Sequence, residues 1–317
     1  MRWLTRTPAL RAVLGWALAL ALSMAATTGR AGVLRYCEAQ PDLSAAQRDT
    51  LLQVAAVVRQ ELQRAGASAA LVSRSGLDLR RFGERYSHAG ISLAQSPSVP
   101  WSVRQLYFDC DERRARLFDQ GIAGFLLGQH DARVGFVSLV ILPEAAARPL
   151  AQAARDDARA LALLGAQYSA NAYAYSTRYQ NCNQWVAELM AAAWGALAPQ
   201  PEGQHIAPEA LRLRAQQWLR EADYRPTPMT LRPRALALAA PFIPWVQLDD
   251  HPTTALQDQV FEVSMPASLE AFIRQREPAA TRIEVCHTDS RIVLRRGWTP
   301  LRDDCVAEPG DEVLALR

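Results

Sequence analysis

Cys182 lies in the run Asn181-Cys182-Asn183-Gln184, and the residues from Trp185 to Trp194 that follow are strong helix formers ending at Gly195. The thiol is therefore predicted at a helix N-terminus, where unpaired N–H groups and the positive end of the dipole stabilise a thiolate. Nucleophilic catalysis by such a thiol needs a base that takes its proton and later returns it to a leaving group. His88 is the candidate base: Ser87 and Ala89-Gly90 flank it, and such small residues let a substrate approach the chain closely. His130 follows Gly128 in a polar stretch that reads as solvent-facing, and His205, His251 and His287 lie near prolines or in the tail. The competing reading makes Cys182 a small buried hydrophobe and His88 a satisfied core residue.

Both residues need elements to hold them. Tyr86 to Leu93 reads as a strand whose alternation puts His88, Gly90 and Ser92 on one face. A shorter apolar run, Ala69 to Ser73, precedes it, and Ser102 to Phe108 is predicted to pair with Arg114 to Phe118. Val134 to Leu142 is nearly continuous in apolar residues, as in a strand buried on both faces. Ser44 and Gln47 form a capping box for a helix running to Gly66, and Ala151 to Leu164 reads as a second helix, closed by Gly165. A loop containing Tyr168, Tyr173, Tyr175 and Tyr179 then leads to Cys182. Another helix is expected over Glu209 to Glu221, between proline-rich stretches at 199–208 and 226–244. Strands are expected near Val260 to Met265, Arg282 to Cys286, Arg291 to Leu294 and Glu312 to Leu316.

The N-terminus reads as an export signal. Arg2, Arg6 and Arg11 precede a charge-free apolar run from Ala12 to Ala26, too short to span a bilayer, which takes about 20 apolar residues. Cleavage is expected after Ala31, with an earlier site at Ser23-Met24-Ala25; an uncleaved N-terminal anchor is the alternative. Residues 1–31 hold four arginines and no acidic residue, so their removal takes the formal charge from +3 to −1. That near-neutral remainder carries no electrostatic footprint for nucleic acid and no polybasic run for a membrane surface.

Export to the periplasm or medium favours disulfides, and five cysteines cannot all pair. Cys286 with Cys305 is the natural local pair, Cys37 with Cys110 the second, which leaves Cys182 as the odd thiol. No CxxC or HExxH spacing occurs, so no structural zinc and no cofactor are expected. Asp249-Asp250-His251, followed by Pro252, reads as a solvated loop rather than a metal site. Glu188, on the cysteine helix, is expected to pair with an arginine.

Tyr86-Ser87-His88-Ala89-Gly90-Ile91-Ser92, then Gly165-Ala166-Gln167-Tyr168, then Asn181-Cys182-Asn183-Gln184-Trp185-Val186, together resemble the circularly permuted NlpC-type branch of the papain-like superfamily over roughly 69–195. The Asn-Cys-Asn stretch is also similar to the cysteine motif of PPPDE peptidases, and the His-first order to lecithin–retinol acyltransferase-like enzymes. The whole chain resembles still more closely an exported bacterial family catalogued as domain of unknown function 2145. The superfamily resemblance implies an α+β fold: a papain-like, circularly permuted NlpC-type core of a small antiparallel sheet plus helices. It implies Cys182 as nucleophile and His88 as base, forming an acyl-enzyme on an amide or ester. The group orienting the imidazole would lie on the next strand, with Gln105 the first choice and Asp109 the second. An oxyanion hole would use the Cys182 N–H with a donor from the preceding loop, Asn181 or Gln184. Capping explains Asn181 equally well. Trp185 and the loop tyrosines would line a cleft, unless they simply pack over a sheet edge.

The expected organisation is a signal peptide at 1–31, the core at 32–225, a proline-rich connector at 226–259 and an extra β-rich segment at 260–317. The expected function is an exported thiol hydrolase or acyltransferase of the cell envelope, with a peptide, peptidoglycan-like or acyl substrate. The alternative is a non-catalytic envelope protein using the same scaffold for binding.

Overall fold

Ser44 accepts a hydrogen bond from the Gln47 N–H, and the Gln47 side chain accepts one from the Ser44 N–H. This reciprocal cap opens helix α1 (Ala45–Ala65), which Gly66 closes in the left-handed conformation at φ 67°. The computed structural model describes residues 43–109, 114–128, 133–199, 209–232, 243 and 245–316. The expected signal peptide, the Cys37–Cys110 pair, His130 and His205 lie outside the described residues.

Strands β1 (Ala69–Arg74), β2 (His88–Leu93), β3 (Ser102–Asp109), β4 (Arg114–Gln120) and β5 (Gly135–Ile141) follow, with the short helix α2 (Ile122–Leu126) between β4 and β5. β1, β2 and β5 are buried along their whole lengths, as their apolar and small residues require for strands covered on both faces. Helices α3 (Glu144–Arg155) and α4 (Asp157–Ala162) replace the single helix expected over 151–164. Asp156 divides them: its backbone is extended, and its side chain accepts from the Arg159 N–H at 3.1 Å, capping α4.

After the tyrosine-rich loop come α5 (Cys182–Trp194), α6 (Ala210–Glu221), β6 (Thr227–Thr230), α7 (Thr253–Asp258) and β7 (Val260–Val263). The chain ends with α8 (Pro266–Arg276), β8 (Thr281–His287), β9 (Arg291–Arg296) and β10 (Glu312–Ala315). β6 and β7 pair with each other, and the other described strands form one antiparallel sheet in the order β10-β9-β8-β5-β1-β2-β3-β4. The result is a mixed α and β architecture whose sheet is larger than expected. β5 explains the difference, because its outer edge pairs residue for residue with β8, from Gly135 opposite His287 to Ile141 opposite Thr281. The C-terminal strands thus share the sheet that carries His88. Cys286 on β8 is disulfide-bonded to Cys305, while Cys182 is outside any disulfide.

Helix α8 was not anticipated, although Pro266 at its start and Leu269, Phe272 and Ile273 on its buried side are a legible helix signal. α5 is buried all round from Cys182 to Ala193, as its almost unbroken apolar sequence demands. It packs against β2, β3, α3 and α6, which makes it the central helix of the core. Among the described residues no helix is long and apolar enough to cross a membrane, and no group of three or more His, Cys, Asp or Glu could hold a metal ion.

Candidate functional site: a cysteine helix clamped to a histidine strand

Four consecutive residues at the start of α5 do four different things. Asn181 is the N-cap, accepting from the Gln184 N–H at 2.6 Å, and its own Nδ2 donates to the Ala170 and Ser264 carbonyls. Cys182 is the first helical residue and is 8% exposed. Asn183 reaches across to β2. Gln184 turns back to the tyrosine-rich loop, its Nε2 donating to the carbonyls of Tyr173, Ala174 and Ser176.

β2 and β3 are registered from Leu93 opposite Ser102 to Ile91 opposite Arg104, and the backbone on either side of His88 meets Asn183 instead. The Asn183 Oδ1 accepts from the Ala89 N–H at 3.0 Å, and its Nδ2 donates to the Ser87 carbonyl at 3.2 Å. The peptide groups flanking His88 are thereby held by the residue that follows Cys182. The start of α5 and the strand that carries His88 are joined through this one side chain.

The imidazole is 4% exposed, and its Nε2 lies 2.5 Å from the Oε1 of Gln105, which is itself buried. The Gln105 Nε2 donates to the Gln120 Oε1 at 2.6 Å, so the amide presents its oxygen to the histidine. An amide oxygen only accepts, so the Nε2–H of His88 is the donor of this pair. The Phe125 ring packs against the imidazole at a centroid distance of 5.8 Å. Asp109, the second choice for this role, sits at the far end of β3 opposite Arg114 and not at the imidazole position held by Gln105. Gly90 faces the neighbouring strand: a Cβ there would lie 2.4 Å from Val103 Cγ1 and 3.1 Å from Gln105 Cβ. Its small size makes room for β3 side chains, rather than for the close substrate approach expected from the sequence.

Behind the cysteine helix lies a fully buried polar network centred on Glu188. Arg212 donates to it through Nε at 2.8 Å and Nη2 at 3.1 Å, and the Nε2 atoms of Gln180 and Gln216 add bonds of 2.6 and 2.7 Å. Arg212 also donates to the carbonyls of Thr177 and Tyr179, and Gln180 accepts from the Gly165 N–H. The arginine partner expected for Glu188 is thus Arg212, and the network ties the loop before Cys182 to α5 and α6.

Several expectations change. The side-chain amides of Asn181 and Gln184 are committed to protein carbonyls, so neither is an oxyanion donor. The Gln184 N–H is bonded to Asn181 Oδ1 and the Trp185 N–H to the Asn181 carbonyl. Trp185 lines no cleft: it is fully buried, with its indole N–H on the Ala160 carbonyl. Of the loop tyrosines, Tyr168 stacks on Phe108 at 4.7 Å, and Tyr175 donates to the Tyr224 carbonyl. Asp250 and His251 are no solvated loop, since their side chains have 0% exposure. Asp250 Oδ2 accepts from the Tyr173 N–H, and His251 Nε2 lies 2.8 Å from the Asn171 carbonyl. Burial raises the Asp250 carboxyl above its ordinary range. Asn183 and Gln120 carry contacts at this site that were not predicted from sequence. Neither had a local signal, because an amide's partner across 94 or 15 residues leaves no periodicity behind.

No curated protein and no solved structure matches the chain. Residues 61–273 match a family described as "Uncharacterized protein conserved in bacteria (DUF2145)". That span runs from the end of α1 into α8 and contains His88, Gln105, Gln120, Cys182 and Asn183, and the chain belongs to this family.

Proposed function

We propose that this protein is an exported thiol hydrolase or acyltransferase with Cys182 as nucleophile and His88 as base. In this reading it is a papain-like protein of the permuted order, histidine strand before cysteine helix. The observation that carries it is the clamp of Asn183 on the peptides flanking His88, combined with a Gln105 contact at Nε2 that orients the imidazole ring.

His88 Nδ1 takes the Cys182 proton, and the helix N-terminus and the imidazolium stabilise the thiolate. The thiolate attacks the carbonyl carbon, and the N–H groups of Cys182 and Asn183 face the developing oxyanion. The C–N or C–O bond breaks as the imidazolium gives its proton to the leaving amine or alcohol, leaving a thioester. Water, or an acceptor amine or alcohol, then attacks the thioester while His88 takes its proton; the thiol is regenerated and the acid, amide or ester released. Gln105 holds the Nε2 proton in place throughout, so the proton that moves is the one at Nδ1.

Export is supported by the Arg2–Arg11 charge cluster ahead of an apolar run and by the Cys286–Cys305 disulfide, a bond that persists in oxidising compartments. A peptide or acyl group of the cell envelope is the substrate class that fits such a location.

The burial of Cys182 and His88 favours a second reading, a binding scaffold whose thiol is inert. Intact-mass trapping separates the two. Incubation with p-nitrophenyl acyl esters and peptidoglycan peptides is expected to leave a stoichiometric acyl adduct on Cys182, absent from Cys182→Ala. No adduct with any acyl donor, in a folded protein, would leave the scaffold.

A further inference from the structure

We infer that Asn183 is a positioning residue: its carboxamide acts as a one-peptide strand that sets the His88 imidazole relative to Cys182. The inference rests on the Cys182–His88 reading and adds to it the device that builds the pair.

A strand residue presents the carbonyl of the residue before it and the N–H of the residue after it toward the same edge. Around His88 these are the Ser87 carbonyl and the Ala89 N–H, and β3 leaves register with β2 before reaching them. On the opposite edge β1 pairs Arg74 with His88. The groups on the β3 side need a donor and an acceptor side by side, which is what a primary amide carries. Asn183 supplies both at 3.2 and 3.0 Å, and it is 2% exposed. A leucine of similar size supplies neither, and a serine hydroxyl is too short to reach both.

Helix capping does not explain the residue. Asn181 caps α5, and Gln184 binds the loop behind it, so Asn183 makes no bond that α5 itself requires. Its two contacts hold one peptide group on each side of the same imidazole. Because Asn183 adjoins Cys182, any slip of the helix relative to β2 is opposed at the reactive groups themselves.

The test is the rate of Cys182 alkylation by iodoacetamide between pH 5 and 9, on the full exported chain and on Asn183→Leu and Asn183→Ser. Wild type is expected to retain alkylation at pH 6 through an imidazole-paired thiolate. Each folded variant is expected to lose about tenfold or more of the pH 6 rate and to approach wild type above pH 9, where an ordinary thiol ionises. An ordinary thiol profile in wild type would refute the Cys182–His88 reading itself. A wild-type acid limb that is unchanged in a folded variant would overturn the role of Asn183 alone. If neither variant folds, Asn183 is a scaffold residue, and the inference is likewise overturned.

Discussion

His88 and Gln105 sit on adjacent strands with the imidazole Nε2 and the amide Oε1 2.5 Å apart, and both side chains are buried. The Gln105 amide is itself oriented, because its Nε2 donates to Gln120 at 2.6 Å. Gln105→Leu should therefore leave the ring free to change tautomer and slow Cys182 acylation by about a hundredfold, the scale of a positioned general base. Gln120→Leu should give a smaller loss. Single-turnover acylation followed by mass measures both, and an unchanged rate in Gln105→Leu would remove Gln105 from the site.

Gly90 leaves no room for a side chain. A Cβ would lie 2.4 Å from Val103 Cγ1 and 2.9 Å from the Arg104 carbonyl oxygen, so Gly90→Ala must push β2 and β3 apart. The expected cost is about 1–3 kcal/mol in urea unfolding, the usual range for overpacking. The acylation rate should fall as well, because Gln105 Cβ is the third atom in the way.

Glu188 and Arg212 form an ion pair without solvent exposure, and neutralising one partner strands the other. Glu188→Gln is expected to cost about 3–5 kcal/mol by the same measurement. A double variant, Glu188→Leu with Arg212→Met, should recover much of that loss. A cost below about 1 kcal/mol for Glu188→Gln would show that the network does not hold the loop before Cys182.

Burial, and then the neighbouring Glu270, push the Glu84 carboxyl from 4.5 up to about 7. A raised carboxyl favours the folded state while protonated, so its contribution is full below about pH 4.5 and is lost as pH rises through 7. Glu84→Gln should match wild type near pH 4.5 and be more stable by roughly 2–3 kcal/mol at pH 8. Chemical denaturation at those two pH values checks the sign, and equal stability at pH 8 would refute it.

What was legible beforehand depended on how local the signal was. The Cys182 helix could be read because its cap, its helix formers and Gly195 are neighbours in sequence. The β3–β4 hairpin was visible as two strand-like runs, whereas Gln105 was singled out only through the superfamily resemblance, which points to the strand after His88. The joining of β8 to β5 was not, because nothing near Gly135 or Thr281 specifies a partner more than a hundred residues away. Asp250 and His251 looked solvated beside a proline; their burial comes from Tyr173 and Asn171, loop residues with no periodic signature. Asn183 was read as one of several amides around a thiol, and its assignment needed the point at which β2 and β3 separate.

The central claim, a nucleophilic Cys182 activated by His88, is tested most directly by the pH dependence of Cys182 alkylation in wild type and His88→Ala, with the label located by peptide mass. The expected result is alkylation that persists at pH 6 in wild type and is lost in His88→Ala. A wild-type profile that follows an ordinary thiol and does not change in His88→Ala would contradict it.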